Sequence, residues 1–199
     1  MARSSDEVRA ALVDAAETCF YRDGITATGV DAIAEEAGVS KRTLYNQFGS
    51  KDGLVAAYLE RREERWTGLL DSLFAEADDD PVEQVVAYAH AYARQTDEDL
   101  FRGCALINAA AELAEADDPA LAIIRASVDR VGEEITGILI AGGLGEAEAA
   151  ELAEHVVLVL EGAVAVGGIH RDVAPLLAAT EVVRGLVRDA YARDSAPTA

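Results

Sequence analysis

A chain of 199 residues is long enough for one large domain or two small ones with a buried core. Its 17 Lys and Arg stand against 37 Asp and Glu, a net charge of −20, which argues against a nonspecific nucleic-acid coat protein and against attachment to an anionic membrane surface. Ala, Leu and Val dominate and there are only four Pro, so helix is favoured throughout and the fold class expected is all-α.

The first helix is expected from Ser4 or Ser5, because Ser4 and Glu7 have capping-box spacing. Val8, Ala11, Leu12, Ala15, Cys19 and Phe20 give it one apolar stripe, and Gly24 stops it. Thr28 and Asp31 read as a second capping box, opening a helix whose stripe is Ala32, Ile33 and Ala37. Gly38 stands where a left-handed residue must end that helix, and Ser40 is a suitable N-cap for a third, Lys41 to about Phe48. Leu44 and Phe48 turn one face of it inward, leaving Lys41, Arg42, Thr43, Tyr45, Asn46 and Gln47 on the others. From Gly38 to Lys51 there are three basic residues and no acidic one, so a local positive surface persists in an acidic chain. Two short helices with a tight turn and a donor-rich second helix make a helix-turn-helix of the kind that lies in a DNA major groove.

Helix four, about residues 51–77, is apolar at Leu54, Val55 and Tyr58, charged all round from Glu60 to Arg65, and apolar again at Trp66, Leu69, Leu70, Leu73 and Phe74. This pattern describes a solvated strut bridging two packed bodies, with the boundary near residues 60–65. The division expected is a DNA-binding unit over 1–50 and a second domain over 51–199, in about nine helices altogether. Asp80-Pro81 opens helix five, with Val82, Val85, Val86 and Ala89 inward. A turn is expected over Thr96–Asp99 and a sixth helix from Leu100 or Cys104 to Ala114. Asp118-Pro119 opens a seventh whose Leu121, Ile124, Val128, Val131, Ile135 and Ile138 form a buried seam. Helix eight, about Glu146 to Gly168, is apolar nearly all round in its second half and rich in small residues. Helix nine opens at Asp172 and Pro175, and the tail R-D-S-A-P-T-A reads as frayed. A single domain of this size could bury helices eight and nine internally; the arrangement expected is that they pair with a second copy as a four-helix bundle, through Leu158, Gly162, Ala163 and Val166 on one and Leu176, Val183 and Leu186 on the other.

The segment I-A-E-E-A-G-V-S-K-R-T-L-Y-N-Q-F-G-S-K-D-G-L resembles the DNA-binding signature of the TetR family of one-component bacterial regulators, densely over about residues 8–60. The family pattern often has His where this chain has Gln47. The resemblance implies a homodimeric transcriptional regulator, a repressor that binds double-stranded palindromic operator DNA through the N-terminal unit and a small effector through the C-terminal domain. Phosphate contacts are then expected from Thr28, Ser40, Thr43, Tyr45 and Lys51, and base readout from Lys41, Arg42 and Asn46.

No Walker loop, dinucleotide fingerprint, nucleophile elbow or zinc-type Cys/His spacing occurs, so no cofactor and no metal is expected. Asn108 and Glu112, four apart on an otherwise apolar sixth helix, read either as a solvent edge or helix cap contact, or as polar anchors of an apolar effector pocket. Trp66, Leu70, Tyr88 and Tyr92 would line that pocket, with Phe101, Cys104 and Ile107. The aromatic residues serve equally as plain core. Two readings of other classes stand beside it: a helical enzyme with Cys104 as nucleophile and His90 as base, and a helical scaffold that binds a protein partner through its acidic face. Cys19 and Cys104 otherwise read as buried reduced thiols. No signal-peptide pattern opens the chain. The longest apolar run, Val156 to Ile169, is broken by Glu161 and three glycines and is shorter than the ~20 residues a bilayer needs. A cytoplasmic protein without a membrane partner is expected.

Overall fold

The computed structural model of the chain describes residues 3–95, 101–113 and 118–194. Among them are nine helices: α1 (Ser5–Asp23), α2 (Val30–Glu36), α3 (Lys41–Phe48), α4 (Lys51–Ala77), α5 (Pro81–Arg94), α6 (Ala105–Glu112), α7 (Pro119–Ala141), α8 (Glu146–His170) and α9 (Ala174–Asp194). The turn expected at Thr96–Asp99, the ends at Leu100 and Ala114, and the last five residues lie outside the described residues.

Helix starts follow local chemistry. Ser4 accepts the N–H of Glu7 and Glu7 returns a carboxylate to the N–H of Ser4, the reciprocal cap that the spacing suggested. Asp80, Asp118 and Asp172 each accept a backbone N–H two residues on, at 2.8–2.9 Å, and so open α5, α7 and α9. One start differs: α2 is capped by Gly29 without any side-chain bond, so Thr28 and Asp31 form no capping box. The Thr28 hydroxyl instead turns back to the carbonyl of Gly24 at 2.6 Å.

The chain divides into two units, residues 1–65 with 105–125, and residues 66–104 with 126–199; the division falls within α4 and again within α7. The first unit is built on Leu12, Ala16 and Phe20 of α1, which meet Ile33 of α2, Leu44 of α3 and Leu54, Tyr58 and Leu59 of α4. Phe20 and Tyr58 pack edge-to-face with centroids 5.5 Å apart. Ala109 of α6 and Ile124 of α7 complete that core.

The polar stretch of α4 is not the unpartnered strut that its composition suggested. Arg62 and Arg65 reach Glu17 of α1 at 3.1 and 2.6 Å, and Arg61 and Arg65 reach Asp14 at 3.3 and 3.5 Å. Glu17 is the best shielded of the carboxylates, with its side chain 15% exposed, so this end of the network is screened least. The arginines fasten α4 to α1.

In the second unit α5 packs on α8 and α9, with Val85, Val86 and Ala89 meeting Leu152, Val156, Leu160, Val183 and Val187. Burial on α8 falls on Leu152, Val156, Leu160, Val164 and Gly167, a single stripe in steps of three and four. The opposite face stays apolar yet exposed: Leu158 is 64% and Ile169 79% accessible. The apolar run of 156–169 lies within this longer helix, and α8 as a whole is long and apolar enough to cross a membrane by length and composition, with a mean hydropathy of 1.7 over 18 residues, a test that the core helix of a soluble protein also meets.

Candidate functional site

The turn between α2 and α3 is formed by backbone chemistry. Gly38 takes φ +66°, its N–H bonds to the carbonyl of Glu35 and the N–H of Val39 to that of Ala34, which closes the end of α2. Ser40 then caps α3 by accepting the N–H of Thr43 at 3.1 Å, while the two hydroxyls bond at 2.8 Å. Leu44 is fully buried and anchors α3. With that face fixed, Ser40, Lys41, Arg42, Tyr45 and Asn46 are exposed, and Thr43 and Lys51 are half-buried. Lys51 opens α4, whose first turn Ser50 caps by accepting the N–H of Gly53 at 3.0 Å.

Thr28 and Lys41 depart from the expected division of labour, and Gln47 has a partner within the unit. Thr28 is only 4% exposed and both its hydroxyl and its N–H bond to Gly24, so no donor of Thr28 remains for a phosphate. Lys41 lies 2.9 Å from Asp31 of α2, and this bond and charge hold its ammonium above the ordinary lysine range. The pair is exposed and therefore weak enough to exchange for another anion. Gln47 donates to Ser5 at 3.0 Å, which ties α3 to α1.

In the second unit a cavity of about 450 Å³ is lined by Leu70, Phe74 and Tyr88, by Thr67, Asp71 and Gln84, and by Glu134, Gly137, Ile138 and Ala141. Its size falls within the range of small-molecule sites. Leu70 and Tyr88 were expected there. The rest was missed: Thr67, Asp71 and Phe74 share a face of α4 with Leu70, a helical-spacing signal, whereas nothing local in α7 singles out Glu134. Tyr88 donates to Glu134 at 2.9 Å; burial, then the charge and bond of Glu134, raise its phenol far above the ordinary range, so the proton stays on Tyr88.

One turn further along α5, Tyr92 donates to Glu161 of α8 at 2.7 Å. Trp66 stacks at a tilt on Tyr92 with centroids 4.7 Å apart and lies 6.4 Å from Tyr88. Burial raises the Glu161 carboxyl, against the lowering effect of the Tyr92 bond. Glu161 Oε2 and Trp66 Nε1 are buried with no protein partner. Phe101 is buried against Val164 and Leu176, with Cys104 beside it.

The other residues assigned to a pocket belong to the first unit. Ile107 is 38% exposed, and Asn108 is half-buried on α6. Glu112 accepts the N–H of Thr26 at 2.7 Å. It holds the loop after α1.

The face assigned to a partner copy needs a one-residue correction on α9. Leu176 and Val183 are fully buried within the protomer, while their neighbours Leu177 and Val182 are 57% and 50% exposed. Leu186 and Ala163 are half-buried; Leu158, Gly162 and Val166 are exposed as expected.

Two family descriptions match: bacterial regulatory proteins of the tetR family over residues 12–58, and the C-terminal domain of LmrA/YxaF-like transcriptional regulators over residues 81–182. The HTH-type transcriptional regulator TtgR of Pseudomonas putida is 36% identical over 78 residues, 39% of this chain and 37% of that protein. The HTH-type transcriptional activator FasR of Mycolicibacterium smegmatis is 48% identical over 56 residues, 28% of this chain and 26% of that protein. The matches thus span only 37% and 26% of the length of these two curated relatives. SCO4454, a TetR-family transcriptional regulator from Streptomyces coelicolor, has a structure that superposes with a TM-score of 0.85 at 29% identity, covering 93% of this chain and 96% of that one.

Proposed function

The chain belongs to the TetR family of bacterial transcriptional regulators, and from that membership we propose that it is a cytoplasmic homodimer that represses transcription by binding palindromic operator DNA until a small effector releases it. The family is one of regulators, not enzymes, which removes the reading with Cys104 as nucleophile and His90 as base. One observation carries the DNA-binding proposal. Helix α3, fixed by Leu44 and capped by Ser40, leaves Lys41, Arg42, Tyr45 and Asn46 outward in a stretch that has no acidic residue from Gly38 to Lys51. Arg42 and Asn46 suit guanine and adenine edges, with Lys41 joining them once it leaves Asp31. Ser40, Thr43, Tyr45 and Lys51 serve phosphates.

Dimerisation is supported by the exposed apolar strip of Leu158, Val166 and Ile169 on α8 and Leu177 and Val182 on α9. A second copy covers it by two-fold symmetry, and an α-helical pair from each protomer makes the bundle. Two recognition helices then meet half-sites about one turn of DNA apart.

Release is supported by the continuity of α4, which begins with Lys51 in the first unit and lines the cavity with Thr67, Leu70, Asp71 and Phe74 in the second. The arginine pairs with Asp14 and Glu17 make α1 follow α4 when an effector shifts it. Such coupling is typically ~1–3 kcal/mol, and an effector acts only by binding the released conformation better. The test is selection of bound duplexes from a random DNA library by the purified protein. Enrichment of an inverted repeat is expected, and failure to enrich any sequence over input overturns the proposal.

A further inference from the structure

We propose that the ligand of the second unit is an organic cation with an apolar body, its positive group taken by the carboxylates of Asp71 and Glu134. This rests on the reading of the cavity as an effector site and names the chemistry it selects. The apolar wall is Leu70, Phe74, Tyr88 and Ile138, and Phe74 and Tyr88 meet edge-to-face at 5.7 Å. The polar edge holds many acceptors and few donors. Among the described residues no Lys, Arg or His lines the cavity. The Tyr88 hydroxyl is committed to Glu134 at 2.9 Å, and the Gln84 amide donates to the carbonyl of Asp78 at 3.0 Å. Arg130 reaches Glu134 at 3.4 Å in a pair with both side chains about two-fifths exposed, which offsets that carboxylate only in part. Asp71 makes no ion pair among the described residues. Both carboxylates are exposed, so a neutral body leaves them to water, whereas an anion would meet two negative charges against the single Arg130 beside Glu134. A protonated amine donates to them and gains from the adjoining aromatic faces.

The same chemistry recurs one helical turn along α5, which is an independent observation. Tyr92 repeats the tyrosine-to-glutamate bond with Glu161, whose second carboxylate oxygen is buried without a protein partner. In both places a tyrosine of α5 donates to a carboxylate of a neighbouring helix.

The test titrates the full-length protein with three probes that share one apolar body: 4-phenylbutylamine, 4-phenylbutanol and 4-phenylbutanoate. Binding is read by calorimetry and by the fluorescence of Trp66, the only tryptophan. The ammonium probe is expected to bind at least about tenfold more tightly than the alcohol, ~1.4 kcal/mol, with the carboxylate weakest. Asp71→Asn with Glu134→Gln should erase that preference while the helical circular dichroism stays unchanged. Equal or tighter binding of the alcohol or the carboxylate overturns the cation assignment and leaves the cavity as a ligand site. Absence of binding by all three overturns the cavity itself, and with it the effector part of the proposed function.

Discussion

The carboxylate of Glu112 accepts the backbone N–H of Thr26 at 2.7 Å, joining the last turn of α6 to the loop that leads into the helix-turn-helix, 86 positions earlier. Its other oxygen lies where a Cβ on Gly24 would stand, at 2.8 Å, and Gly24 itself has φ +93°. The loop is therefore shaped around this carboxylate. Replacing Glu112 by Ala should cost about 1 kcal/mol, the net worth of one such bond at an exposed site, while Glu112→Gln, which keeps an acceptor, should cost less. Gly24→Ala should cost more than either, because φ +93° with ψ 156° is backbone that essentially only Gly adopts, and its strain of roughly 1–3 kcal/mol adds to the clash. In a Glu112→Ala background the clash part disappears and the strain remains. Chemical denaturation of the four proteins measures this cycle, and strict additivity of the two changes would remove Glu112 from the loop.

Much of the first unit was legible because its determinants are local. Gly38 needs a positive φ, Ser40 needs a nearby N–H, and Leu44 needs a core four residues from Phe48; each statement involves neighbours in sequence. The bond from Glu112 to Thr26 has no such signature, and Glu112 is not among the residues that line the cavity of Leu70, Phe74 and Tyr88. Helices α8 and α9 failed in another way. Leu176 and Leu177, or Val182 and Val183, are equally apolar, so periodicity finds a helix without its phase, and only packing decides that Leu176 and Val183 face inward. Thr28 and Gly29 show the smallest version: the helix begins one residue later than its best capping side chain suggested, and the hydroxyl is buried as a result.

Contacts to DNA should separate by their salt dependence. Lys51→Ala should weaken binding to all sequences alike and lower the slope of log affinity against log salt by about 0.9. Arg42→Ala should cost ~1–3 kcal/mol and relax preference at one position per half-site. Asp31→Asn should strengthen binding, because it frees Lys41 from its ion pair at 2.9 Å. Fluorescence anisotropy over a salt series distinguishes the three, and an unchanged slope in Lys51→Ala removes that residue from the interface.

The corrected phase of α8 and α9 makes the assembly prediction sharp. Leu158→Glu or Leu177→Glu should yield a helical monomer that no longer holds a palindromic site, since these side chains are 64% and 57% exposed in the single protomer. Val183→Glu should instead unfold the second unit, because that side chain has no accessible surface and a charge there has no partner. Sedimentation velocity with circular dichroism reads both outcomes. Dimers persisting in the Leu158 and Leu177 variants would remove this face from the interface.

Glu161 should make stability depend on pH in a direction opposite to a salt-bridged acid. Its carboxyl is raised by burial, and the bond from Tyr92 lowers it by less. A carboxyl raised in the folded protein binds its proton more tightly than in the unfolded chain, so folding is favoured at pH below the unfolded value of 4.5. That contribution is lost as pH rises through the folded value, and above it the charged form carries a fixed penalty. Glu161→Gln removes the charge and keeps a carbonyl to accept from Tyr92, whose hydroxyl now donates at 2.7 Å. The variant should therefore be more stable than the parent at pH 7.5, and the difference should shrink as pH falls and vanish near pH 4.5. Taking the difference between the two proteins cancels the many other carboxylates of a chain with net charge −20. Urea unfolding of both proteins across that range measures it. A parent more stable than Glu161→Gln at pH 7.5 would mean that the ionised carboxylate is stabilised where it lies, and the account of it as a buried charge without a countercharge would fail.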